Sequence, residues 1–183
     1  RIFDAAENAK DGAPLAEPRR LARGLRRRLR RRANRIACAK ELFRRHGIIP
    51  SAGARDVNEL RVEGLDKPLT PEELAAVAML LIKRRGFKSN SKAQTAGEDG
   101  KLLEAVRKNA ELMREKGYRT VGEMLARECS ERATTADGKE RTIYRTRNKG
   151  DQYTHTVARA AIRSELELIF DAQARFGNEL ASE

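Results

Sequence analysis

Apolar residues recur at helical spacing along nearly the whole chain, in blocks separated by polar or glycine-containing stretches. In the first block, Leu21, Ala22, Leu25, Leu29, Ala33 and Ile36 fall on one stripe about 120° wide when wound at ~100° per residue. Ala39 and Phe43 extend that stripe, and only Arg32 intrudes on it. Pro18 suits a first helical turn and His46-Gly47 a stop. The pattern therefore predicts one helix from about residue 18 to 46 that buries a narrow apolar seam.

Residues 47–56 read as a loop, and Asp56 as the cap of a short helix built on Val57, Leu60 and Leu65. Thr70-Pro71-Glu72-Glu73 is a capping box with proline in the first turn. Leu74, Val77, Ala78, Leu81 and Ile82 continue that helix to Arg85-Gly86. Residues 86–100 are polar and read as a mobile loop. Leu102, Leu103, Val106, Ala110 and Met113 carry the next helix to Lys116-Gly117. Thr120-Val121-Gly122-Glu123 opens another, through Leu125 and Ala126. Residues 130–150 read as irregular, with a turn at Ala136-Asp137-Gly138 and an extended piece at 142–145. The last helix is expected to begin near Thr154–Thr156, to carry Val157, Ala161, Ile162, Leu166, Ile169 and Phe170, and to close at Gly177. No longer unit repeats. The expected fold class is all-α.

Charge changes this picture from a generic helical domain to a specific kind of surface. Ten of the seventeen residues from Arg19 to Arg35 are arginine, and none is acidic. Residues 19–45 hold thirteen Lys/Arg and one Glu, while residues 46–183 hold 24 basic and 22 acidic side chains. The net charge of +12 thus sits in one stretch. A helix meant only for solvent intersperses both signs, so an uncompensated run implies a polyanionic partner. Arginine adds planar, bidentate recognition of phosphate. The apolar stripe is narrow and has no aromatic before Phe43, which disfavours a membrane partner.

With 183 residues, five Phe, three Tyr and no Trp, a core must rest on Leu, Ala, Val and Ile. Cys38 and Cys129 lie in no metal-ligand spacing, and no signal peptide or long apolar run appears, which points to a reducing cytoplasmic setting. The opening Arg1-Ile2-Phe3-Asp4 reads as the end of something, so the chain is expected to be a piece of a longer polypeptide. Catalytic signals are nearly absent: His46 and His155 have no ligand spacing, and no Gly-rich phosphate loop occurs. Capping or surface roles suit both histidines, and His155, among Tyr153, Thr154 and Thr156, has the better functional claim. Two smaller basic clusters matter more. Lys83–Lys92 has five cations and no acid where a helix breaks, and its glycine, amide and hydroxyl groups suit backbone contact with structured RNA. Lys139–Lys149, net +4, reads as a solvated loop.

Five ordered motifs carry a resemblance. They are EN-x-K-x-G followed by LA-x-PRRLARG-x-RRRLRRR; LRVEGLD-x-x-L-x-x-EEL; KRRGFKSN; YRTVGEML; and YTHTVAR with LIF-x-x-Q-x-x-FGN. Together they cover essentially the whole chain. They resemble the arginine-rich bridge helix and first recognition-lobe region of the compact type II-C RNA-guided CRISPR DNA endonucleases. The resemblance implies a tail at 1–14 leading out of an RNase H-like nuclease domain, a bridge helix at 15–46 and a helical recognition lobe at 47–183. It implies partners, guide RNA and target DNA, held by phosphate contacts and A-form shape. The role of guide-RNA contact falls on Arg19, Arg20, Arg23, Arg26, Arg27, Arg30, Arg31 and Arg35, and on Arg84, Arg85, Lys88, Ser89 and Asn90. Arg119, Tyr153, Thr154 and His155 follow from the remaining motifs. The family's cleavage residues lie in nuclease domains outside these motifs, so no catalytic residue, metal ligand or cofactor is expected here. Those nuclease domains are expected to use Mg2+. A bacterial cytoplasmic location and a part in defence against foreign DNA follow from the same resemblance. A second expectation is a docking surface for an acidic phage anti-CRISPR inhibitor that competes with guide RNA. A generic basic RNA-binding protein is the third.

Overall fold

The computed structural model describes residues 12, 14, 16–88, 98–134, 138, 140–148 and 153–182. The arginine-rich block winds into α1, Ala16–Arg45. There follow α2 (Val57–Glu63), α3 (Pro71–Lys83), α4 (Glu98–Glu115), α5 (Val121–Glu128), β1 (Ser130–Thr134), β2 (Glu140–Tyr144), α6 (Arg159–Arg175) and α7 (Glu179–Ser182). The fold is helical with one small hairpin. Among the described residues, no helix is long and apolar enough to cross a membrane.

Caps fix where these helices start. Asp56 accepts from Asn58 N at 2.7 Å and opens α2. Thr70 and Glu73 complete the capping box of α3, at 3.2 and 3.1 Å. Thr120 accepts from Glu123 N, but the Glu123 carboxylate turns to Arg119 N, at 2.7 Å, one residue before the cap.

α3 is apolar nearly all round, as a helix buried between two layers must be. One face, Leu74, Val77 and Leu81, joins Leu60, Leu69, Val121, Met124, Leu125, Val157, Ile162 and Ile169 in the main core. The other face, Ala75 and Ala78, receives Ala39 and Phe43 of α1. Small residues on α3 let α1 approach closely there.

Polar ties lock this core. Arg61 of α2 and Glu165 of α6 form a buried bidentate ion pair, and Glu165 also accepts from Gly122 N at 3.1 Å. Gln173 accepts from Leu69 N and donates to Gly64 O and Lys67 O. Asn178 donates to Leu69 O.

Four expectations are corrected. The seam of α1 is buried only at its C-terminal end: Leu21, Leu25 and Leu29 remain 63%, 50% and 56% exposed. Residues 130–134 and 140–144, read as irregular apart from an extended piece at 142–145 that falls on β2, pair as an antiparallel hairpin with Ser130 opposite Tyr144 and Thr134 opposite Glu140. Gly138 has the positive φ of a turn, while Ala136 and Asp137 lie outside the described residues. α6 begins at Arg159, because Ala158 forms a parallel bridge with Phe87 instead of a first helical turn. α4 starts at Glu98, earlier than expected. The remainder of the loop read at 86–100 lies largely outside the described residues.

Candidate nucleic-acid interface

A helix rotates its side chains by about 100° per residue, so an uninterrupted arginine run must surround it. α1 does this. Arg19, Arg20, Arg23, Arg26, Arg27, Arg28, Arg30, Arg31 and Arg32 are all exposed, and among the described residues none of them is paired with a carboxylate. Elsewhere arginines find acids: Arg44 and Arg45 meet Glu41, Arg55 meets Glu63 and Glu73, and Arg163 meets Glu167. The contrast marks the first two-thirds of α1 as a surface of uncompensated positive charge among the described residues.

Arg35 is different. It is half-buried, and its Nε donates to Ile82 O at 3.0 Å, satisfying a carbonyl in the last turn of α3. Burial lowers its guanidinium from the ordinary value, and Arg85, Arg32 and Arg159 push the same way. It ties α1 to α3 and brings the end of each into one positive field.

The KRRGFK segment joins that field. Arg84 is half-buried and donates to Thr146 Oγ1, while Arg85 and Lys88 are exposed. Burial lowers the Arg84 guanidinium, with Arg147, Arg61 and Arg32 adding to it and Asp56 opposing. Gly86 needs no RNA to explain it. Its φ is +75°, and a Cβ there would lie 2.8 Å from Ala158 O, so the chain requires glycine for its own packing. Phe87 N donates to Val157 O and Phe87 O accepts from Arg159 N, both at 2.8 Å, which pins this segment to the start of α6. Ser89 and Asn90 lie outside the described residues.

The other sequence candidates keep different company. Arg119 meets Asp66 at 2.7 Å through both terminal nitrogens and Glu123 at 2.6 Å through Nε. Asp66 first, then Glu123, holds its guanidinium above the ordinary value. Arg119 is thus engaged by two protein carboxylates at the surface, with half of its side chain still exposed. Thr154 O and Thr156 O accept from Asn109 Nδ2. His155 N donates to Asn148 Oδ1 at 2.8 Å, and His155 Nδ1 lies 3.2 Å from Cys129 Sγ. Burial lowers the imidazole and raises the thiol, so neither group is activated as a nucleophilic pair would be. Tyr153 is half-buried beside them. YTHT is therefore an inner brace as well as a candidate contact.

Sequence reasoning missed Arg28, Arg32, Thr146, Arg147, Asn148 and Arg159. The signal was present for two of them. Arg32 breaks the apolar stripe of α1, and it does so where the helix turns toward Arg35 and Arg84. The Lys139–Lys149 cluster read as solvent-facing, yet Arg147 lies within the influence of Arg84.

No family model matches the sequence. The CRISPR-associated endonuclease Cas9 of Campylobacter jejuni is 33% identical over 97% of this chain, which spans 19% of that relative. The crystal structure of Campylobacter jejuni Cas9 in complex with sgRNA and target DNA superposes with a TM-score of 0.72 at 30% identity, over 89% of this chain and 23% of that one. The cryo-EM structure of the St1Cas9–sgRNA–tDNA59–ntPAM complex, at 24% identity, shares the fold with a TM-score of 0.63 over 96% of this chain and 19% of its own. By sequence and by fold, the chain is a homologue of one segment of Cas9, of the compact type II-C kind that its five motifs resemble.

Proposed function

We propose that this segment grips the guide RNA and the guide–target heteroduplex within an RNA-guided CRISPR DNA endonuclease. The single observation that carries the reading is the row of nine exposed arginines on α1, none paired with a carboxylate among the described residues, in a chain homologous to Cas9. On this reading α1 is the bridge helix, and residues 47–183 form the first part of the recognition lobe. The relative is an endonuclease and the matched complex holds sgRNA and target DNA. This segment supplies the grip and not the cut. The Mg2+ chemistry belongs to nuclease domains of the parent, which works in the bacterial cytoplasm. The same unpaired arginines suit an acidic inhibitor that excludes RNA, and guide RNA displacing such a protein is the mark of that second reading.

Binding is expected to be steeply salt-dependent. If about half of the nine exposed arginines meet phosphate at once, the log–log slope of affinity against salt is about −3 to −4. Replacing Arg23, Arg27 and Arg30 by alanine flattens that slope by about 2–3 units. Replacing them by lysine keeps most of the slope and loses affinity, because a point charge cannot make the bidentate contact. Filter binding of structured guide RNA across a salt series measures both. A salt-independent affinity overturns the phosphate reading, and Mg2+-dependent cutting of guide-matched DNA by the purified chain overturns the division of labour.

A further inference from the structure

Where α1 and α3 touch, Arg35 reaches Ile82 at the end of α3, and Phe43 joins Ala75 and Ala78 nearer its start, so the two helices run in opposite directions. Beside that contact lies an open, mainly apolar groove of about 680 Å³, within the ~300–1,000 Å³ of small-molecule sites. Ile36, Ala76, Met79 and Leu80 line its length, and the loop from Ile48 to Ala52 closes one end. Ile36 and Arg44 mark the span of α1 along it, about 12 Å of helix at ~1.5 Å per residue.

The end wall is fastened on both sides. Ile48 N donates to Phe43 O at 2.9 Å and Ser51 N to Glu72 O at 3.1 Å, which ties the loop to the last turn of α1 and the first turn of α3. Pro50 stiffens it between those ties. The rim carries Lys40, Arg44 and Lys83, and among the described residues no carboxylate lines the groove. Arg44 is occupied by Glu41 at 2.8 Å, whereas Lys40 and Lys83 are exposed with no carboxylate partner among the described residues. An apolar trough under two uncompensated ammonium groups suits a molecule with an apolar body and one anionic head. A sugar–phosphate strand brings the charge without the apolar body. A helix, ~10–12 Å across with its side chains, is too broad to sink between helices whose contact runs through Ala39, Ala75 and Ala78.

We infer that this groove binds an amphiphilic anion of the medium-chain carboxylate class. Its alkyl chain lies along Ile36, Met79 and Leu80, and its carboxylate sits at the rim with Lys40 and Lys83. The exposed stripe of Leu21, Leu25 and Leu29 also combines apolar and basic groups, but it lies on the open face of one helix with no wall opposite. Binding in the groove draws on none of the arginines at 19–32 and is independent of the nucleic-acid reading.

The test is methyl NMR of the full 183-residue chain with isotope-labelled methionines, titrated with sodium decanoate below its micelle concentration. The chain has three methionines, so Met79→Leu assigns the Met79 signal by its loss. Decanoate is expected to move the Met79 signal saturably and to leave those of Met113 and Met124 in place. Octanoate, with two methylenes fewer to bury, is expected to bind about tenfold more weakly. Lys40→Glu and Lys83→Glu, both at exposed positions, should each weaken decanoate about fivefold, and Arg107→Glu on the exposed face of α4 less than about twofold. Decyltrimethylammonium, with the same tail and the opposite charge, should leave Met79 unmoved. A Met79 signal that stays in place under decanoate, or three signals that move together, overturns the groove and assigns any uptake to the bare stripe of α1 or to unfolding. Equal losses in Lys40→Glu, Lys83→Glu and Arg107→Glu overturn the anionic head. If a short helical peptide of leucine and glutamate moves Met79 and decanoate does not, the groove is a protein-docking surface and the amphiphile is overturned.

Discussion

Gly122 has no room for a methyl group. A Cβ there would lie 2.6 Å from Glu165 Oε1 and 2.9 Å from Arg61 Nε, the two partners of the buried ion pair. Gly122→Ala must therefore push the pair apart, and breaking a buried pair costs on the order of 3–5 kcal/mol. Urea denaturation of Gly122→Ala, Arg61→Met and Glu165→Leu should show losses of this order, with the double variant Arg61→Met/Glu165→Leu recovering most of it. An additive double variant would show that the pair is not coupled. His155 offers a second test at this scale. Burial holds its imidazole below the ordinary 6.5, so as pH falls the unfolded chain takes up the proton first. Its contribution to stability is complete above 6.5 and is lost as pH falls through the lower folded value. Urea midpoints should decline from 6.5 downward. His155→Gln should flatten that decline between 6.5 and about 5, before most carboxylates titrate.

α1 is two structures in one helix. From Arg35 onward it is fastened by Ala39, Phe43 and the Ile82 carbonyl, whereas from Ala16 to Asn34 only Glu17 and Gly24 are less than exposed. The free part also carries arginines at i,i+3 and i,i+4, which repel. Hydrogen exchange should be much faster at Leu21–Leu29 than at Ala39–Phe43, and RNA should slow it. Gly24 sits in the free part with nothing within 4 Å of the Cβ it lacks. Gly24→Ala should stabilise that part by about 1 kcal/mol, read as slower local exchange. Gly24→Leu should leave the free chain folded and weaken RNA binding, since the side chain would stand between Arg20 and Arg35 on the arginine face. Undiminished affinity in Gly24→Leu would reduce the glycine to an incidental helix weakener. The helix itself was legible in the sequence because its period is strong. Its lack of burial was not, because a stripe of Leu21, Leu25 and Leu29 looks the same whether its partner is present or absent. The β1–β2 hairpin was legible only as an extended piece at 142–145 and a turn at Gly138, with β1 missed, for a related reason. Both strands are mostly exposed, so no alternation of buried and open positions marks them.

For the whole molecule, the motifs that suggested RNA contact divide in a way only tertiary structure reveals. Arg119 with Asp66 and Gln173 with Gly64 come from three motifs that interlock with one another. The KRRGFK segment and residues 19–35 of α1 instead carry charge with no acid of their own. Spacing along the chain cannot separate these cases, because the partner of each arginine lies up to about a hundred residues away, as Glu165 does from Arg61. The consequence is measurable as opposite responses to salt. In the free chain, the +12 charge is concentrated on one helix whose arginines repel, and salt screens that repulsion. Its melting temperature should rise from about 50 mM to about 500 mM NaCl. With RNA bound, stability gains the free energy of binding, and that gain shrinks as salt competes for phosphate. The melting temperature of the complex should therefore start higher and fall over the same range until the two curves meet. Differential scanning calorimetry of chain and complex across the series checks this. Parallel curves would mean that the RNA is held by something other than the arginines of α1.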